Sequence, residues 1–268
     1  MNRKQIKAQS KTLIKTADPK PVVMAIIYIL VTSLLGYLSY KLVGSYQLEV
    51  RSIIQQAGTI DDSRIIYMLQ QAAPTPAAAL LDVAIDIVTA VLGAGLTIFC
   101  LNTVRGREAS YWNLFDGFGM FFRVIWLSIL EAVFVFLWSL LLVIPGIIAA
   151  YRYRMAIYLL LEHPEMSALD CISESKRLMM GHKWELFVFD LSFIGWALLV
   201  GLAAGIGMTL AEGMYPSFLT EFLNVVGLGI FVQFFVTPYM ELSFAGYYVE
   251  LTRPAQDVPF ADGWTPEL

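Results

Sequence analysis

Six stretches of the chain are apolar over about the length a helix needs to cross a bilayer, roughly 20 residues, and this constrains the fold more than any other feature. They run 22–40, 77–101, 120–142, 145–162, 185–207 and 224–247. Unpaired backbone N–H and C=O groups are costly in hydrocarbon, so such stretches form helices and not open sheets. The 268 residues are 58% hydrophobic and 15% charged, whereas soluble domains carry about a quarter charged residues. The expected fold is therefore all-α: a polytopic membrane helical bundle of six transmembrane helices with short amphipathic interfacial helices. Residues 1–21 form a basic arm, 22–248 the membrane domain and 249–268 a tail.

Basic residues orient the spans, because loops on the cytosolic side carry the excess of Lys and Arg. With a cytosolic N-terminus and six crossings, twelve fall inside: Arg3, Lys4, Lys7, Lys11, Lys15, Lys20, Arg105, Arg107, Lys176, Arg177, Lys183 and Arg253. Three, Lys41, Arg51 and Arg64, fall outside. If 145–162 fails to cross, the tally becomes eight against nine and the bias disappears. Six spans with both termini cytosolic, in a cell membrane and most readily a bacterial plasma membrane, is the expectation. A cleaved signal peptide fits poorly, since the stretch before the first span is long and no A-x-A site follows it.

Ile144-Pro145-Gly146 separates the third and fourth spans. Proline lacks a backbone donor and glycine permits a reversal, so a helical hairpin is expected with its break at Pro145-Gly146. Pro238 in the sixth span frees the carbonyl of Phe234 and marks a second break. Residues 2–17 set Ile6, Leu13 and Ile14 among lysines, which reads equally as an amphipathic helix on an anionic leaflet or as a solvated arm. Ser167-x-x-Asp170 caps a helix with an apolar stripe at Leu169, Ile172 and Met179, and Gly181 ends it. Residues 63–71 form an outer amphipathic stretch.

Soluble-enzyme signatures are absent: there is no phosphate loop, H-E-x-x-H helix or G-x-S-x-G elbow. His163 and His182, like Cys100 and Cys171, lack metal-ligand spacing. No enzyme, metal or cofactor is expected. The basic residues are too few and too dispersed for nucleic-acid binding.

The remaining chemistry lies in ionisable side chains within the spans, each costing at least about 2.5 kcal/mol at the centre of a lone helix. These are Asp82, Asp86, Arg123, Glu131, Arg152, Arg154, Asp190 and Glu241. From the helical rise, Asp82 and Asp86 lie roughly 8 and 14 Å below the outer helix end, and Arg152 and Arg154 roughly 11 and 14 Å below theirs. An Asp86–Arg154 pair is expected, with Asp82, Glu131 and Arg152 in the same polar layer. Arg123, Asp190 and Glu241 form a second layer toward the cytosol. Gly201-Leu202-Ala203-Ala204-Gly205 is a G-x-x-x-G match, read either as packing within the chain or as contact with a second copy or another membrane subunit.

Ile144-Pro145-Gly146-Ile147-Ile148, Tyr151-Arg152-Tyr153, Ser173-Glu174-Ser175, Met179 to Trp184, Leu191 to Trp196, Thr237-Pro238-Tyr239 and Tyr247-Tyr248 occur in order. On these motifs the chain resembles a bacterial multi-pass membrane family catalogued as domain of unknown function 975. The resemblance implies a six-span plasma-membrane protein without an established activity. A remoter similarity to the membrane domain attached to some bacterial glycerophosphodiesterases implies lipid or cell-envelope work and carries over no phosphodiesterase activity. Two functions are expected to compete. One is a permease-like or lipid-handling protein using the polar layers, with membrane lipids and anionic headgroups as partners. The other is a non-catalytic scaffold or accessory subunit whose buried charges fix helix packing.

Overall fold

In the computed structural model, which describes residues 3–56, 61–73, 75–211 and 229–253, every regular element is helical. The order is α1 Arg3–Thr16, α2 Pro21–Gln56, α3 Asp62–Ala72, α4 Pro76–Arg105, α5 Asn113–Asp116, α6 Phe121–Leu141, α7 Val143–Tyr153, α8 Ala156–Glu162, α9 Ala168–Leu178, α10 Lys183–Leu191, α11 Ile194–Ala211 and α12 Gly229–Leu251. A 3-10 turn, Gly117–Met120, joins α5 to α6. Among the described residues five stretches are long and apolar enough to cross a membrane: Pro21–Val43, Pro76–Arg105, Asn113–Leu141, Val143–Glu162 and Lys183–Ile206. The sixth expected span corresponds to α12, with 224–228 outside the described residues.

Helix ends follow local chemistry. Thr75 caps α4 by accepting from the Ala78 N–H at 3.2 Å, and Pro76 takes the first turn, where its missing N–H costs nothing. Gly106, with φ +65°, closes the other end. Ser167 caps α9, accepting from the Asp170 N–H at 3.2 Å, and Gly181 adopts φ +82° beyond it, as the capping pattern predicts.

The hairpin between the third and fourth apolar stretches turns three residues ahead of Pro145. Leu142 is the extended residue, with φ −167° and ψ 153°, and Pro145 lies inside the first turn of α7. Proline is tolerated there, so Pro145-Gly146 is not the break. Gly146 serves packing instead: a Cβ there would lie 2.1 Å from Ser139 Oγ, so α6 and α7 close directly against each other. Pro238 likewise leaves α12 continuous.

The real break in the fourth stretch falls at Arg154-Met155, between α7 and α8. Its cause is a side chain inserted into the hydrogen-bond ladder. Fully buried Ser175 of α9 donates to the Arg152 carbonyl at 2.8 Å and accepts from the Met155 N–H at 3.2 Å. The apolar face of α9, with Cys171, Ile172, Ser175 and Met179, is buried in the main core, so α9 is an integral part of the bundle. Ser175→Ala strands two buried backbone groups at about 1–3 kcal/mol each. A clear fall in the unfolding midpoint in detergent is the expected result.

The N-terminal helix also docks on protein. Ile6 and Ser10 of α1 are buried, with Ile6 against Gly246 of α12. Lys7 hydrogen-bonds Ser192 and stands 4.0 Å over the Phe193 ring. Burial, then the neighbouring charges of Lys11 and Arg3, hold its ammonium pKa below the ordinary lysine value. Arg3, Lys4, Lys11 and Lys15 remain exposed.

Candidate functional site

One constellation, with Arg154 exposed and Glu131 and Glu241 half-buried, unites residues that the sequence distributes over three apolar stretches. Glu131 comes from α6, Arg154 from the α7–α8 break and Glu241 from α12, and all three line one cavity of about 520 Å³. Thr97, Ser128, Tyr153 and Tyr158 complete its polar wall. A second cavity of about 280 Å³ shares Glu131, Glu241, Thr97 and Ser128 but is bounded by Tyr28 of α2 in place of Arg154. The two cavities therefore meet along the carboxylates.

Local structure sets what each group offers. Thr97 donates its hydroxyl hydrogen to the Gly93 carbonyl at 3.0 Å, and Ser128 donates to the Val124 carbonyl at 3.0 Å. These are ordinary back-bonds within a helix, and they leave only oxygen lone pairs turned outward. Glu131 Oε1 is buried and finds no hydrogen-bond partner among the described residues. The Arg154 guanidinium stands 4.8 Å over the Phe244 ring, a cation–π contact that places it without spending its N–H donors on a carboxylate. Tyr158 stacks on Tyr248 with centroids 5.1 Å apart, which fixes the wall beside it.

The other expected residues lie elsewhere. No Asp86–Arg154 ion pair forms among the described residues: Asp86 is exposed on α4, and Arg154 faces the cavity with Glu131 and Glu241. Asp82 accepts a hydrogen bond from Ser39 of α2, so it joins α2 to α4. The expected second layer also divides. Glu241 belongs with Glu131 and Arg154, whereas Asp190 accepts from Tyr151 Oη at 2.9 Å and Arg123 is exposed in a cleft with Trp126 and Ser167. Arg152 does not line the cavity; its Nε is buried with no partner among the described residues, while its carbonyl is held by Ser175. The physical reason is that rise alone assumes helices starting in one plane, and α4 extends for 30 residues from Pro76 to Arg105.

Several contributing residues escape charge-based reading. Thr97, Ser128 and Tyr28 are neutral and sit in apolar runs, and only the Gly93-Ala94-Gly95 cluster on α4 hints that something approaches that face. Glu162 at the end of α8 accepts from Arg105 Nε at 2.6 Å and Nη2 at 2.7 Å, while Arg105 also reaches Thr252 Oγ1 at 3.3 Å. That contact ties the ends of α4, α8 and α12 together below the cavity.

Comparison with known proteins reaches the second half of the chain. The model of the family described as Protein of unknown function (DUF975) matches residues 139–255, so this segment is similar to that family. No curated protein and no solved structure matches the chain. Arg154, Ser175 and Glu241 fall within the matched segment, whereas Thr97, Ser128 and Glu131 lie ahead of it.

Proposed function

We propose, from the premise that residues 139–255 are similar to that family of unknown function, that the chain is a six-span, non-enzymatic membrane protein of permease-like character. Its cavity around Glu131, Arg154 and Glu241 admits a small polar solute. One observation carries the reading: irregular backbone converges on charged side chains. The α7–α8 break at Arg154 and the α10–α11 turn beside Phe193 both lie along the stretch of α12 that bears Tyr239, Glu241 and Phe244. Membrane transporters place substrate sites where discontinuous helices meet, because freed backbone groups and buried charge are tolerated there only beside a hydrated cavity.

The twelve-to-three distribution of basic residues supports a cytosolic position for both termini, with α12 supplying the last crossing. The exposed cations of α1 suit anionic headgroups of the same leaflet, at about 1 kcal/mol per basic residue. A scaffold role, with a homo-oligomer or another subunit as partner, is favoured by a different feature. A Cβ on Gly201 or Gly205 would meet nothing within 4 Å among the described residues, so the small face of α11 is left open. Its other face packs on α12, where a Cβ on Gly229 would lie 2.8 Å from the Val200 carbonyl.

Thiol labelling separates the two roles. Ser128→Cys in a cysteine-free background is expected to react with a membrane-impermeant reagent added from one side, because a permease-like cavity is wet. Ser173→Cys should label from the cytosolic face and Ser63→Cys from the outer face. An unreactive Ser128→Cys in correctly inserted protein would leave the scaffold role standing. Labelling of positions 63 and 173 from the same side would overturn the six-span topology.

A further inference from the structure

The two cavities differ in one respect that bears on what enters them. The larger contains a guanidinium, while the smaller, between α2, α4, α6 and α12, is lined by Glu131 and Glu241 and, among the described residues, by no basic side chain. Around the smaller cavity the hydroxyl hydrogens of Thr97 and Ser128 are already committed to main-chain carbonyls. Among the described residues Tyr28 Oη is the one side-chain donor left in its lining, against two carboxylates and two hydroxyl lone-pair sets. Glu131 Oε1 is enclosed and receives nothing from the described residues.

A buried acceptor without a donor is costly, and a buried charge without a counter-charge more so. Arg154 supplies one positive charge for two carboxylates. The wall is therefore short of hydrogen-bond donors, and ionising both carboxyl groups leaves it one unit of positive charge short. A cation that carries its own N–H groups supplies both. Resting on the permease-like reading above, we propose that the cavity between Tyr28, Thr97, Ser128, Glu131 and Glu241 binds the ammonium group of a small organic amine.

Alternative ligand chemistries fit less well. An anion would face two carboxylates across the shared wall. A divalent metal ion requires more charged ligands than this wall offers, and the described residues contain no group of three His, Cys, Asp or Glu side chains able to hold one. A bare alkali ion leaves most of a space of about 280 Å³ unfilled, whereas an ammonium with a short carbon chain uses the apolar lining of Ala90, Leu96 and Leu127 as well. The Tyr28 ring adds an aromatic wall of the kind that attracts ammonium groups.

The test uses full-length protein purified in detergent, with radiolabelled methylammonium as the probe and sodium and potassium as separate arms. Saturable methylammonium binding is expected, with unlabelled methylammonium protecting Ser128→Cys from the thiol reagent. Glu131→Gln should weaken binding by about tenfold or more, the loss typical of a charge-assisted contact. Arg154→Gln should tighten it, since the competing internal cation is gone. Monodisperse elution of each variant establishes that a loss is not unfolding. Binding confined to sodium or potassium, binding indifferent to Glu131→Gln, or binding weakened by Arg154→Gln would each overturn the proposal. If Ser128→Cys labels but methylammonium neither binds nor protects, the amine assignment fails and the permease-like reading survives. If Ser128→Cys does not label at all, that reading fails first.

Discussion

Gly95→Val is expected to abolish recovery of monodisperse protein, and Gly95→Ala to lower it severely. A Cβ at position 95 would lie 2.1 Å from the Leu114 carbonyl oxygen and 2.5 Å from its carbon. The approach is reciprocal, because a Cβ on Gly117 would lie 2.3 Å from the Val91 carbonyl oxygen. Here α4 meets the segment entering α6 backbone to backbone, and no side chain can rotate away to make room. Overpacking that side chains can absorb costs about 1–3 kcal/mol, and contact with rigid main chain exceeds this range. Fluorescence-detected size exclusion of tagged variants provides the measurement. Gly36→Ala is the control, since a Cβ there meets nothing within 4 Å. Equal recovery of the Gly95→Ala and Gly36→Ala proteins would overturn the expectation. The effect reaches the cavity as well, because Thr97 lies on the same helix two residues beyond Gly95.

Glu162→Ala is expected to produce the next largest loss. The Glu162 side chain is only 8% exposed and receives two hydrogen bonds from Arg105, with Arg107 a further 3.6 Å away. Removing one partner of a buried pair costs about 3–5 kcal/mol, because the other charge is left without compensation. The Arg105 side chain is 27% exposed, so water recovers part of the deficit and about 2–3 kcal/mol is the appropriate expectation. The unfolding midpoint should fall clearly in Glu162→Ala and less in Glu162→Gln, which retains hydrogen-bond acceptance. A midpoint equal to wild type in both variants would show that the three helix ends are held by other means. High salt should narrow the difference, since Arg105 and Arg107 are accessible to screening ions.

Local patterns in the sequence anticipated much of the secondary structure, while contacts between helices remained hidden. The apolar runs predict the membrane helices because hydrocarbon imposes helix formation at a length that can be counted. Ser167, Gly181 and Pro76 act within one turn of their own positions, so their roles can be read in place. The Arg154-Met155 break has no such local mark, since neither residue is glycine or proline. It depends on Ser175, which belongs to another helix. The candidate site shows the same division. Glu131, Arg154 and Glu241 each stand out as ionisable residues in apolar surroundings, yet their assembly depends on helix offsets. Counting rise from helix ends placed Asp86 beside Arg154 and put Glu241 in a separate layer. The length of α4 and the packing of α12 against α4 and α11 decided otherwise. Neutral Thr97 and Ser128 carry no sequence signal until their back-bonds show which lone pairs remain.

Ser175 also has a consequence for the order in which the chain is made. The Met155 N–H obtains its partner from a residue 20 positions later. During synthesis, α7 and the start of α8 emerge before the hydroxyl that completes them exists. Their two exposed backbone groups make the fourth stretch a poor candidate for release into lipid on its own. The α7–α9 unit is therefore expected to leave the insertion machinery as one piece, with α9 acting as the last component of a helix it does not belong to.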